Sequence, residues 1–88
     1  MVSNKEKAFL MFKLAKSKGG LWGNVYDRLE HFKRFQNIKQ ILKELEKIGW
    51  VIFHKKPSYT GISLNPHYKK NIVEFIEKHL PEMKGVLK

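Results

Sequence analysis

The feature that most restricts how this 88-residue chain can fold is a change of hydrophobic period at Gly49. Before it, Phe35, Ile38, Ile41, Leu42, Leu45 and Ile48 recur at three- and four-residue steps, which predicts an amphipathic helix over residues 36–48, closed by Gly49. After it, "WVIFHKK" and "GISLN" are rich in β-branched and aromatic residues, and the turn-like residues 57–60 between them make the pair a β-hairpin. Both periods in so short a chain predict a single α+β domain over residues 1–88, mainly helical outside the hairpin.

Helix punctuation fills in the rest. Ser3 followed by Glu6 fits a capping box, Ala8, Met11, Phe12 and Ala15 form a stripe, and Gly19-Gly20 is a stop, so a first helix is expected over residues 4–18. Asn24 is the expected cap of a short second helix with Asp27 in its first turn and Val25, Tyr26, Leu29 and Phe32 as its apolar set, ending near His31. Asn65-Pro66 reads as the cap and first position of a last helix that places Tyr68, Ile72, Phe75, Ile76 and Leu80 on one face and ends at Pro81, with residues 81–88 expected as a frayed tail. The first helix also carries Phe9, Leu10 and Leu14 off its stripe. It is therefore either central and covered on both sides, or shared with the last helix in a symmetric dimer, or a basic amphipathic helix lying on a membrane.

The net charge of +10 is unevenly placed. Residues 1–30 hold six basic and three acidic residues, residues 31–70 nine and two, and residues 71–88 three and three. An excess concentrated in the middle of the chain points to a polyanionic partner rather than to a uniformly solvated surface. The absence of cysteine excludes disulfides, thiolate metal sites and a cysteine nucleophile. No apolar run reaches the roughly 18 residues of a membrane span, and the run at residues 8–12 is too short for a signal peptide, so a cytoplasmic protein is expected, nucleoid-associated in a prokaryote.

The order helix, helix, helix, hairpin, helix resembles the winged helix-turn-helix family of small bacterial and archaeal transcription regulators over about residues 5–80. The resemblance is carried by "NIKQILKELEKIGWVIF", similar to the third helix, glycine stop and first wing strand, and by "GISLNPHYKKNIVEFIE", similar to the second wing strand and closing helix. One stretch departs from the pattern: "HFKRFQN" has no Ser or Thr cap before the third helix. The resemblance implies a double-stranded DNA partner, a recognition helix in the major groove, a wing over the backbone or minor groove, and a homodimer built through the terminal helices.

On that reading the outward residues of the 36–48 helix are Gln36, Asn37, Lys39, Gln40 and Lys43. Asn and Gln can pair with adenine edges, and Lys can reach guanine acceptors or phosphate. Lys33 and Arg34 would meet phosphates just before the helix, and Lys55, Lys56 and Tyr59 would do so from the hairpin. The plain alternative is a solvated helix face and a hairpin whose Lys and Pro protect its edge.

Catalysis is not expected. His31, His54, His67 and His79 lack metal-ligand spacing, the four serines sit in no nucleophile motif, and the glycines form no phosphate-cradling loop. No cofactor and no small-molecule ligand is evident. A sequence-reading regulator, a non-specific architectural nucleic-acid binder (Lys outnumbers Arg 16 to 2) and a protein-interaction module are the three readings carried forward.

Overall fold

The computed structural model of the chain describes residues 3–33, 35 and 37–86, with the backbone alone at residue 18. Helix α1 (Asn4–Lys16) begins with the expected capping box: the Ser3 hydroxyl accepts from Glu6 N–H and the Glu6 carboxylate accepts from Ser3 N–H, each at 3.1 Å. Each of these bonds satisfies a donor that the helix start would otherwise leave bare. Ser3→Ala should cost about 1 kcal/mol in urea unfolding. A one-turn 3₁₀ helix, Ser17–Gly19, follows, and at Gly20 (φ +115°) a side chain would press on Trp22.

The short second helix expected after Asn24 does not form. A two-residue strand, β1 (Asp27–Arg28), stands there instead, followed by a 3₁₀ turn, Leu29–Phe32. The reason is long-range: β1 pairs antiparallel with β3 (Thr60–Leu64), Asp27 opposite Ile62 and Arg28 opposite Gly61. A helix of two turns is marginal by itself, and the free edge of β3 supplies the stronger backbone pairing. Asp27, expected to face the helix dipole, is 7% exposed, and its carboxylate accepts from the Arg28 N–H and from His31 Nδ1, each at 2.8 Å.

Helix α2 (Ile38–Lys47) starts two residues later than expected. Asn37 lies in the left-handed region (φ +60°) and does not cap it; its side chain donates to Glu6 Oε2 on α1 at 3.4 Å. Ile38, Ile41, Leu42 and Leu45 are buried as the period requires, whereas Ile48 falls past the last turn and is 51% exposed. Gly49 (φ +82°) ends the helix as expected, with Trp50 N–H returning to Leu45 O.

The hairpin is β2 (Val51–Lys55) and β3, in register from Val51 opposite Leu64 to Lys55 opposite Thr60. Its turn is residues 56–59, one residue earlier than expected, closed by Lys56 N–H to Tyr59 O at 2.9 Å. The strand order is β1-β3-β2, so β3 is central and buried from Gly61 to Leu64. Asn65 caps as expected by accepting from His67 N–H, but it caps a 3₁₀ turn, Pro66–Tyr68, that leads into α3 (Lys69–His79). The segment expected to fray begins with a further 3₁₀ turn, Pro81–Met83, and Gly85 N–H reaches Glu77 Oε2 at 2.9 Å. The two final residues lie outside the described residues.

Among the described residues, three α-helices and a three-stranded antiparallel sheet make this a small α+β fold. Its core is layered around α1: Leu10, Met11 and Leu14 are fully buried together with Ile72 and Ile76 of α3, Ile41 and Leu45 of α2, and Ile62 and Leu64 of β3. Of the apolar surplus of α1, Leu10 and Leu14 are thus absorbed within the chain, whereas Phe9 is left exposed. Among the described residues no helix is long and apolar enough to cross a membrane.

Candidate nucleic-acid interface

The exposed face of α2 follows from its buried one. With Ile38, Ile41, Leu42 and Leu45 turned inward, Lys39, Gln40 and Lys43 are exposed. The amides are less free than the lysines. Gln40 Nε2 donates to Glu44 Oε2 at 3.4 Å, and Asn37 is tied to Glu6. Glu44 is itself held by Lys7 of α1 at 2.6 Å, and this bond keeps its carboxyl below the usual carboxylate range. Likewise the Ser3 backbone N–H, and after it the Asn37 amide, hold Glu6 below that range. Glu6 of α1 and Glu44 of α2 are therefore engaged in contacts between the two elements, and Lys39 and Lys43 have no ion-pair partner among the described residues. Arg34 and Gln36, expected beside them, lie outside the described residues.

The hairpin end is a stack built around Gly61. The Tyr26 ring crosses β3 so closely that a Cβ at Gly61 would lie 2.3 Å from it. On its neighbouring side Tyr26 stacks on His54, with centroids 4.2 Å apart and planes at 17°. Below the stack, His54 Nε2 is 2.9 Å from Ser63 Oγ, whose single proton goes to Gly23 O at 2.8 Å. Since that proton is committed to a carbonyl, His54 Nε2 must be the donor.

At the tip the Tyr26 and Tyr59 hydroxyls are 3.3 Å apart. This bond, and then Lys56, lower the Tyr26 phenol below its ordinary value, while the Tyr59 phenol is raised by the same contact. Lys56 Nζ lies 5.6 Å from the Tyr26 ring centre, and the Arg28 guanidinium 4.5 Å from that of Tyr59. Tyr59 is accordingly half-buried, while Lys55 and Lys56 are exposed. A notch of about 250 Å³ beside them is lined by Arg28, Lys33, Ser58, Tyr59 and Thr60, with Glu30 on its rim 3.3 Å from Arg28.

The fold therefore brings Lys33 and Tyr59 to one notch and adds Arg28, which sequence reasoning missed. Arg28 was hidden because residues 27–28 read as helix. A signal was present nonetheless: an isolated glycine in a strand, Gly61, marks a close approach by something, here the Tyr26 ring two residues before Arg28. Lys39 and Lys43 form a separate group on α2, and among the described residues no hydrogen bond or ion pair joins them to the hairpin cluster. No group of three or more His, Cys, Asp or Glu with metal-binding placement occurs among the described residues.

Comparison with protein-family models, with curated proteins and with solved structures finds no match.

Proposed function

We propose that this chain is a winged helix-turn-helix protein that binds double-stranded DNA, presenting α2 to the major groove and the 55–60 hairpin tip to the backbone or minor groove, and that it acts as a transcription regulator. The element order α1, β1, 3₁₀ turn, α2, β2, β3, α3 supports the fold reading. The observation that carries the function is the placement of charge: Lys39 and Lys43 exposed on α2, and Arg28, Lys33, Lys55 and Lys56 around a hairpin on whose His54 the Tyr26 ring stacks. Cations held on rigid elements neutralise phosphates without a large ordering cost. Leu10 and Leu14 of α1 are buried within the chain and need no dimer to cover them, while Phe9 stays exposed.

A second reading is favoured by a specific observation. Asn37 and Gln40, the side chains best suited to base edges, are hydrogen-bonded to Glu6 and Glu44, and Lys outnumbers Arg 16 to 2. Both facts suit an architectural binder that reads phosphate rather than sequence. The bonds are long and exposed, so a base could replace them.

Salt tests the shared part of the two readings. Four to six neutralised phosphates per chain give a log–log slope of affinity against salt of about −4 to −5. An affinity for duplex DNA that stays flat between 50 and 200 mM salt, on the order of a Debye-length change of twofold, would sink both. Selection from a random duplex pool separates them: an enriched motif supports the regulator, an unenriched pool the architectural protein.

A further inference from the structure

We propose that the cleft between α1 and the 3₁₀ segment after β1 is a binding site for a small aromatic carboxylate. It is independent of the DNA-binding surface and was invisible in the sequence, because its two walls come from segments far apart in the chain. One wall is a single stripe of α1: Phe9, Lys13 and Lys16 stand at i, i+4 and i+7 and are all exposed. The opposite wall is Asp27, His31, Phe32 and Phe35. The space between is about 720 Å³, within the range of small-molecule sites.

The walls select for two properties at once. Phe9 is 43% exposed, an unusual state for a large apolar side chain in the middle of a helix whose other apolar residues are covered. Its ring lies 5.7 Å from that of Phe35, tilted by 51°, so the pair offers a flat ligand an aromatic surface on which to stack. Lys13 and Lys16 bring two ammonium groups, and neither has an ion-pair partner among the described residues. The carboxylate in the cleft, Asp27, is 7% exposed and accepts from the Arg28 N–H and His31 Nδ1. These two donors engage the carboxylate, and the His31 Nε2 remains as a further polar contact. A neutral ring would leave the lysines unused, and a small aliphatic carboxylate would leave the phenylalanines wet.

Benzoate is the probe, titrated into the full chain and followed by amide chemical shifts. One saturable isotherm is expected, with shifts concentrated at Phe9, Lys13, Lys16, His31 and Phe35, and with acetate and benzyl alcohol each binding at least tenfold more weakly. Lys13→Gln with Lys16→Gln should weaken benzoate at least tenfold and leave thermal unfolding unchanged, whereas Lys47→Gln with Lys78→Gln should change neither. The inference is overturned if acetate equals benzoate, which means general attraction to lysine, or if benzyl alcohol does, which means an apolar groove alone. It is equally overturned by shifts spread over the other lysines, or by no saturation. None of these results depends on whether the chain binds DNA.

Discussion

Replacing Lys39, Lys43, Lys55 and Lys56 together by Glu should lower affinity for duplex DNA by roughly a thousandfold or more near 0.1 M salt. Each phosphate contact contributes about 0.9 to the salt exponent, so at 0.1 M each is worth about eightfold relative to 1 M, and four compound to this size before the repulsion of the new carboxylates is counted. All four lysines are exposed, so the variant keeps its fold, and an unchanged thermal midpoint checks that. Fluorescence anisotropy with a labelled duplex reads the loss. The paired variants separate the two surfaces: removing Lys39 and Lys43 should alter any sequence preference, while removing Lys55 and Lys56 should weaken all duplexes alike. An affinity within threefold of the parent for the quadruple variant would move the function to protein recognition.

Gly61→Ala should destabilise the chain by about 2–3 kcal/mol, a cost typical of forcing a methyl group into a filled site. The new Cβ would sit 2.3 Å from the Tyr26 ring, and moving that ring aside would disrupt its stack on His54, 4.2 Å away. For a domain of this size the loss lowers Tm by roughly 10 °C or more. The decisive comparison is a double-mutant cycle. In a Tyr26→Ala background the same substitution should cost less than about 0.5 kcal/mol, since the obstructing ring has gone. Equal costs in both backgrounds would mean that β3 objects to alanine for a reason of its own. Through Tyr26 this site also sets the hairpin tip, so Gly61→Ala is expected to perturb Lys56 and Tyr59 as well.

The parts of the fold that were legible in the sequence share one property: their signals act over a few residues. The Ser3–Glu6 capping box spans four positions, the α2 stripe repeats within ten residues, and Gly49 and Asn65 act on the turns beside them. Residues 24–32 misled because the same local logic favours a helix there: Asn24, Asp27 and a run of apolar residues have helical spacing. Pairing with β3, more than thirty positions away, outweighed it. The α2 start slipped for a related reason, since Asn37 is engaged by Glu6 of α1 rather than by the helix that follows it.

The candidate site divides along the same line. That Lys39, Lys43, Lys55 and Lys56 would be exposed was readable, because periodicity names the buried face of a helix and, by elimination, the wet one. That Arg28 and Lys33 would meet Tyr59 at one notch was not, nor that Phe9, Lys13 and Lys16 would face Phe35 and His31 across a cleft. By itself, then, the sequence determined the α+β class, the caps at Ser3 and Asn65, the stop at Gly49, the core stripe of α2 and the charge available to a polyanion. Tertiary structure alone decided β1, the aromatic stack on Gly61, the burial of Asp27 and both concave surfaces. The reason is physical: caps and periodicity are properties of neighbouring residues, whereas a third strand or a cleft exists only once distant segments have been packed together on the same core.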